Sequence, residues 1–221
     1  MKTGKAILTA LTLATLFFIQ ACQKETKSTE PINEEIATAP NINAAVGETV
    51  TPIQVYGVWH AGNDYCIWGT VRTVAEFDLK NHWLIDRGNG QPSVNIVILS
   101  FVHPLKLLNR TTDATTLNGI PRGMTLDIVN YFKSRNIRVM LSIGGITYTD
   151  AWDQALAANA YQLGLNAADV ATNLGVGIEI DYEQNRNPNL PGLQQFIAAY
   201  RSKLPYDSTG SNHAARLTIN L

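Results

Sequence analysis

Cysteine is nearly absent from this chain, occurring only at Cys22 and Cys66 among 221 residues. With Cys22 committed to the lipid chemistry argued below, no intrachain disulfide can form, and the fold must rest on its apolar core. A basic excess is absent as well. Taking Lys2 and Lys5 from the 17 basic residues leaves 15 against 18 acidic ones, a mature net charge near −3. That excludes the positive field a nucleic-acid partner requires, and no Lys/Arg cluster along the chain points to phosphate recognition. No His/Cys/Asp spacing matches a metal site, and Gly57, Gly62 and Gly69 do not form a phosphate-binding loop. No metal and no cofactor are therefore expected, and a neutral polar substrate fits the charge balance better than an anionic polymer. An internal repeat is also missing.

A long apolar run is lacking too. Lys2 and Lys5 precede an uncharged stretch from Ala6 to Ile19, too short for the roughly 20 residues of a spanning helix. It has the form of a signal peptide. Ala21 directly before Cys22 resembles the lipobox of bacterial lipoproteins, so residues 1–22 are expected to be a lipoprotein signal with Cys22 acylated. Residues 23–50 are rich in Lys, Glu, Thr, Asn, Pro and Ala and poor in aromatics, the composition of a solvated tether. Lys24 and Glu25 resemble surface-export signals of some Gram-negative lipoproteins. The expected location is a bacterial membrane surface, outer membrane included, reached through the lipid at Cys22.

From residue 51 to 221 short β-branched apolar runs alternate with helical stretches, the mark of a parallel α/β sheet. Strands are predicted at Ile53–His60, Val94–Val102, Ile137–Ile143, Val176–Tyr182 and Arg216–Leu221. Helices are predicted from a Thr125 cap to about Arg135, from Thr149 or Asp150 onward, and over Leu193–Leu204. In the second of these Leu156, Ala160, Leu163, Ala167, Val170 and Leu174 step by four and three residues, which sets one face against a sheet. Five strands occupy the whole tail-free length, whereas a (β/α)₈ barrel takes about 250 residues. The expected architecture is the first part of such a barrel in a longer protein, with an open doubly wound sheet as the alternative.

The stretch Gly177-Ile178-Glu179-Ile180-Asp181-Tyr182-Glu183 carries the chemistry. Side chains alternate across a strand, so Glu179, Asp181 and Glu183 share one face and Ile178, Ile180 and Tyr182 the other. If the apolar set packs on helices, the acids face the barrel interior. Like charges in a low dielectric raise carboxyl pKa values and keep a general acid protonated near neutral pH.

These residues resemble glycoside hydrolase family 18, the chitinases and endo-β-N-acetylglucosaminidases, whose fourth strand carries a DGxDxDxE pattern. Val176–Glu183 reads VGIEIDYE, and Leu141-Ser142-Ile143-Gly144-Gly145 is similar to the SxGG signature closing the family's third strand. Tyr56-Gly57-Val58-Trp59 and Ser100-Phe101 agree more loosely. The resemblance implies a retaining mechanism in which the substrate's own N-acetyl group is the nucleophile. It assigns Glu183 as general acid, Asp181 as the group orienting the acetamide, and Glu179 as the inner partner of Asp181. Two positions depart from the pattern: Glu179 is one methylene longer than the usual Asp, and Val176 replaces the leading Asp.

Gly144 and Gly145 either turn the chain or let a sugar approach closely. Tyr56, Trp59, Trp68 and Tyr148 either stack on pyranose rings or fill core and loop packing. His60 and His103 are expected in loops after strands one and two, without a special role. The implied partner is an N-acetylglucosamine-containing oligo- or polysaccharide, in chitin or an N-glycan core, with turnover or binding alone as the two alternatives.

Overall fold

A computed structural model describes residues 55–61 and 68–220. The signal peptide, Cys22, the tether and the expected start of the first strand at Ile53 lie outside the described residues.

Five strands form one parallel sheet: β1 (Gly57–His60), β2 (Ile96–Val102), β5 (Arg138–Gly144), β6 (Gly177–Asp181) and β7 (Leu217–Asn220). They lie side by side in that order, every neighbouring pair parallel. A two-stranded antiparallel hairpin, β3 (Thr116–Leu117) with β4 (Ile120–Pro121), stands apart from it. The main sheet is open, with β1 and β7 as its edges among the described residues.

Between the strands run α1 (Val74–Ile85), α2 (Pro104–Leu108), α3 (Leu126–Lys133), α4 (Thr149–Leu174) and α5 (Leu190–Lys203). The strand order never reverses, so right-handed crossovers all step the same way and place the connecting helices on one face. Packing agrees with this. Val97, Leu99, Val139, Leu141, Ile143, Ile178 and Ile180 join one core cluster with Phe132, Trp152, Leu163 and Phe196 from the helices. The alternate residues Ile98, Ser100, Met140, Ser142, Glu179 and Asp181 are also buried, but on the opposite face of the sheet.

Local chemistry explains the element ends. Thr73 and Glu76 form a reciprocal capping box that starts α1, a helix the alternation pattern does not reveal although Thr73-Val74-Ala75-Glu76 spells the box. Thr125 caps α3 as expected, its hydroxyl accepting from the Ile128 N–H at 3.3 Å. The long α4 bends at Asn159, whose side chain caps the continuation by accepting from the Gln162 N–H at 2.9 Å. The expected single helix is thus two segments. Gly164 lets α4 meet α5, since a Cβ there would stand 2.2 Å from the Phe196 carbonyl oxygen.

His60 closes β1, within the strand predicted over Ile53–His60, and corrects the expectation of a loop histidine after that strand. It is buried, 2.7 Å through Nε2 from Asn81 Oδ1, and packs among Trp68, Phe77 and Phe132. Trp68 is likewise core, its Nε1 donating to the His60 carbonyl at 2.9 Å.

Candidate functional site

Glu179 and Asp181 lie on the helix-free face of β6, only 4% and 3% exposed. Glu183 follows two residues after the strand ends, half-buried at its C-terminal edge. Their opposite-facing neighbours Ile178, Ile180 and Tyr182 are fully buried against the helices. That apolar anchorage fixes the register, because a one-residue slip would drive the acids into the core.

Each carboxyl has a distinct environment. Glu179 Oε2 accepts the indole N–H of Trp59 at 2.8 Å. Trp59 belongs to β1, three strand spacings away, a lateral distance of about 14 Å between backbones on a flat sheet. Ser100, Ser142 and Glu179 are register partners in one row across β2, β5 and β6. Ser142 Oγ is fully buried in that row and has no hydrogen-bond partner among the described residues.

Asp181 is held through both its backbone and its side chain. Its carbonyl oxygen accepts from the Gly145 N–H at 3.0 Å and from Trp152 Nε1 at 3.1 Å. Its Oδ1 accepts from Asn220 Nδ2 at 3.0 Å. Burial, then the charge of Glu183, pushes the Asp181 carboxyl from its ordinary 3.8 up to about 6, with the Asn220 bond working the other way. The charge of Glu179 adds to the rise, so Asp181 keeps a proton to higher pH than an ordinary carboxyl.

The loop carrying Glu183 is fixed from below. Tyr182 donates to Asp153, Gln184 Nε2 donates to the other oxygen of Asp153 at 2.7 Å, and the Asn189 N–H donates to the Tyr182 oxygen at 2.8 Å. Burial and Asp153 push the Tyr182 phenol up to about 12, so it remains a donor at all physiological pH.

Of the other expected contact residues, the fold collects some and not others. Gly144 and Gly145 stand at the C-terminal end of β5 beside Asp181, both at positive φ, +120° and +91°. Their missing side chains serve the protein first: a Cβ on Gly144 would meet the Asp181 carbonyl at 2.0 Å, and one on Gly145 the Phe101 ring at 3.0 Å. Trp59 is 54% exposed while bonded to Glu179, so it offers a ring face beside the acids. Tyr148 packs against His103, ring centroids 4.7 Å apart, just past the ends of β5 and β2. Burial, then Lys106, holds the His103 imidazole below its ordinary pKa, and its buried Nδ1 has no partner among the described residues. Tyr56 stands before β1, at the sheet's N-terminal end, and is not brought to the acids.

Asn220 was missed by sequence reading. The signal available was the period-two alternation of Arg216–Leu221, which sets Thr218 and Asn220 on the face of the acids; pairing of Asp181 with Asn220 in register completes it. Among the described residues no group of three or more acidic, His or Cys side chains is arranged to hold a metal ion. Comparison with protein-family models, with curated proteins and with solved structures finds no match to this chain.

Proposed function

We propose that this chain hydrolyses β-1,4 linkages of N-acetylglucosamine-containing glycans by the retaining, substrate-assisted route of glycoside hydrolase family 18. The observation that carries the reading is the buried Asp181, its carboxyl raised to about 6 with Glu183 beside it, at the C-terminal edge of a parallel strand, and Glu179 buried behind it. Barrel enzymes place their chemistry at that edge. The unreversed strand order and the Trp59–Glu179 contact across three strand spacings support a sheet that curls as the first five strands of a (β/α)₈ barrel.

Glu183 gives its proton to the glycosidic oxygen as the bond to the anomeric carbon breaks. The acetamide oxygen of the same sugar attacks that carbon, forming an oxazolinium ion, while Asp181 accepts the acetamide N–H and balances the charge. Water then opens the ring, its proton passing to the Glu183 carboxylate. Two inversions leave the configuration unchanged. Glu179, held by Trp59, fixes the base of the acid column, and Trp59 and Tyr148 offer ring faces to the sugar.

The location proposed is a bacterial membrane surface, reached by a lipid on Cys22. No helix among the described residues is long and apolar enough to cross a membrane.

Glu183→Gln tests the assignment. Release of product from a chromogenic N-acetylchitooligosaccharide is expected to vanish while binding of the unlabelled sugar persists. Undiminished turnover removes Glu183 from the acid role, and a wild-type protein that binds without generating reducing ends is a lectin.

A further inference from the structure

The opposite, N-terminal end of the sheet carries charge that the proposed hydrolysis does not use. Arg138 opens β5, and Arg216 stands immediately before β7. Between these strands lies β6, whose first residue there is Gly177; Met140 is its register partner on one side, and a Cβ on Gly177 would meet the Arg216 Cβ at 3.0 Å on the other. The missing side chain lets the chain around Arg216 pack closely against β6. A cavity of about 240 Å³ occupies this region, lined among others by Arg138, Arg201, Arg216, Tyr206 and Thr218.

The cations there outnumber the acids, and their side chains bond mainly to backbone carbonyls. Arg201 donates to the carbonyls of Leu204 and Ala215, at 3.3 and 2.6 Å. Arg216 donates to the Gly210 carbonyl at 2.8 Å. Lys133, nearby, donates to the Gly175 carbonyl at 3.3 Å. The Arg138 side chain has no hydrogen-bond or ion-pair partner among the described residues, and Asp207 is the lone carboxylate lining the cavity. Asp207 accepts from Thr209, Ser211 and Asn212, and its single charge offsets Arg216 in part. Burial and then Arg138 hold Arg216 below its ordinary pKa, and His213 is lowered by burial, Arg216, Lys133 and Arg138. A chain of net charge −1 thus concentrates mutually repelling cations in one hollow. Such repulsion is relieved by an anion, and guanidinium forks match the oxygens of a tetrahedral oxyanion.

We propose that the cavity between Arg138, Arg201 and Arg216 binds a doubly charged oxyanion, as inorganic phosphate or the phosphate of a small ester. The two hydroxyls, Tyr206 and Thr218, supply neutral donors, and the hollow exceeds what free phosphate fills, leaving room for an ester's organic part. The site lies four residues down β6 from Asp181, about 13 Å away, and does not depend on the hydrolytic reading.

The test uses the full chain and inorganic phosphate. Phosphate added at constant ionic strength, balanced by sodium chloride, is expected to raise the melting temperature in a saturable way. Arg138→Gln, which breaks no hydrogen bond among the described residues, should weaken the apparent affinity at least tenfold. The His213 imidazole, followed by NMR, should titrate at higher pH in saturating phosphate, because the bound anion offsets its cationic neighbours. A melting temperature that follows ionic strength alone, an Arg138→Gln response equal to wild type, or a His213 titration unmoved by phosphate overturns the proposal.

Discussion

Trp59 on β1 donates its indole N–H to Glu179 on β6, 2.8 Å away, across the two intervening strands β2 and β5. The longer side chain at position 179 turns toward β1 rather than pressing on Asp181, which takes its own donor from Asn220. One buried carboxylate thus depends on a residue 120 positions away in sequence. Trp59→Phe keeps most of the ring and removes the donor, leaving Glu179 buried without it. A loss of about 1–3 kcal/mol is expected in urea unfolding. In a double-mutant cycle with Glu179→Gln the two changes should be strongly non-additive; additivity would show that the bond contributes nothing.

Asp181 bears on stability with a definite sign. Its carboxyl is raised from 3.8 to about 6, so between those values the folded chain holds a proton that the unfolded chain has lost. Stability therefore falls as pH rises from about 4 to 6 and stays lower above that. Asp181→Asn removes the penalty, and is expected to stabilise the fold at pH 7 by roughly 1–3 kcal/mol while abolishing turnover. Equal stability of variant and wild type at pH 7 would contradict the burial of an ionised group there.

The Asp181 carboxyl sets an expected pH profile. It holds a proton below about pH 6 and loses it above, so kcat/KM should fall on the acid side of that value, where Asp181 cannot act as a carboxylate toward the acetamide N–H. Asn220 lowers the Asp181 value through its 3.0 Å bond. Asn220→Ala should then shift the acid limb to higher pH, and an unmoved limb would separate Asn220 from the titration of Asp181.

Gly144 tests how tightly β5 and β6 close beside the acids. At φ +120°, with the Asp181 carbonyl 2.0 Å and Trp152 Nε1 2.2 Å from where a Cβ would stand, alanine has neither conformation nor space. Gly144→Ala should cost more than about 3 kcal/mol in chemical denaturation. A cost near 1 kcal/mol would mean that the strand ends separate easily.

Periodicity along the chain was enough to identify the α/β class, all five strands of the main sheet, the Thr125 cap and the common face of Glu179 and Asp181. Each of these follows from neighbours within a few positions, where alternation and capping act. The short helix α2 and the β3–β4 hairpin escaped the same reading because segments of five and two residues are too brief to show a period. Which groups meet was decided only by the fold. Trp59 with Glu179, Asn220 with Asp181, and Arg138 with Arg216 are brought together by strand order and register, and linear spacing carries no record of those. The arginines also explain why reading along the chain found no basic cluster: separated by 78 positions in numbering, they line one hollow only because β5 and β7 flank β6 in the sheet.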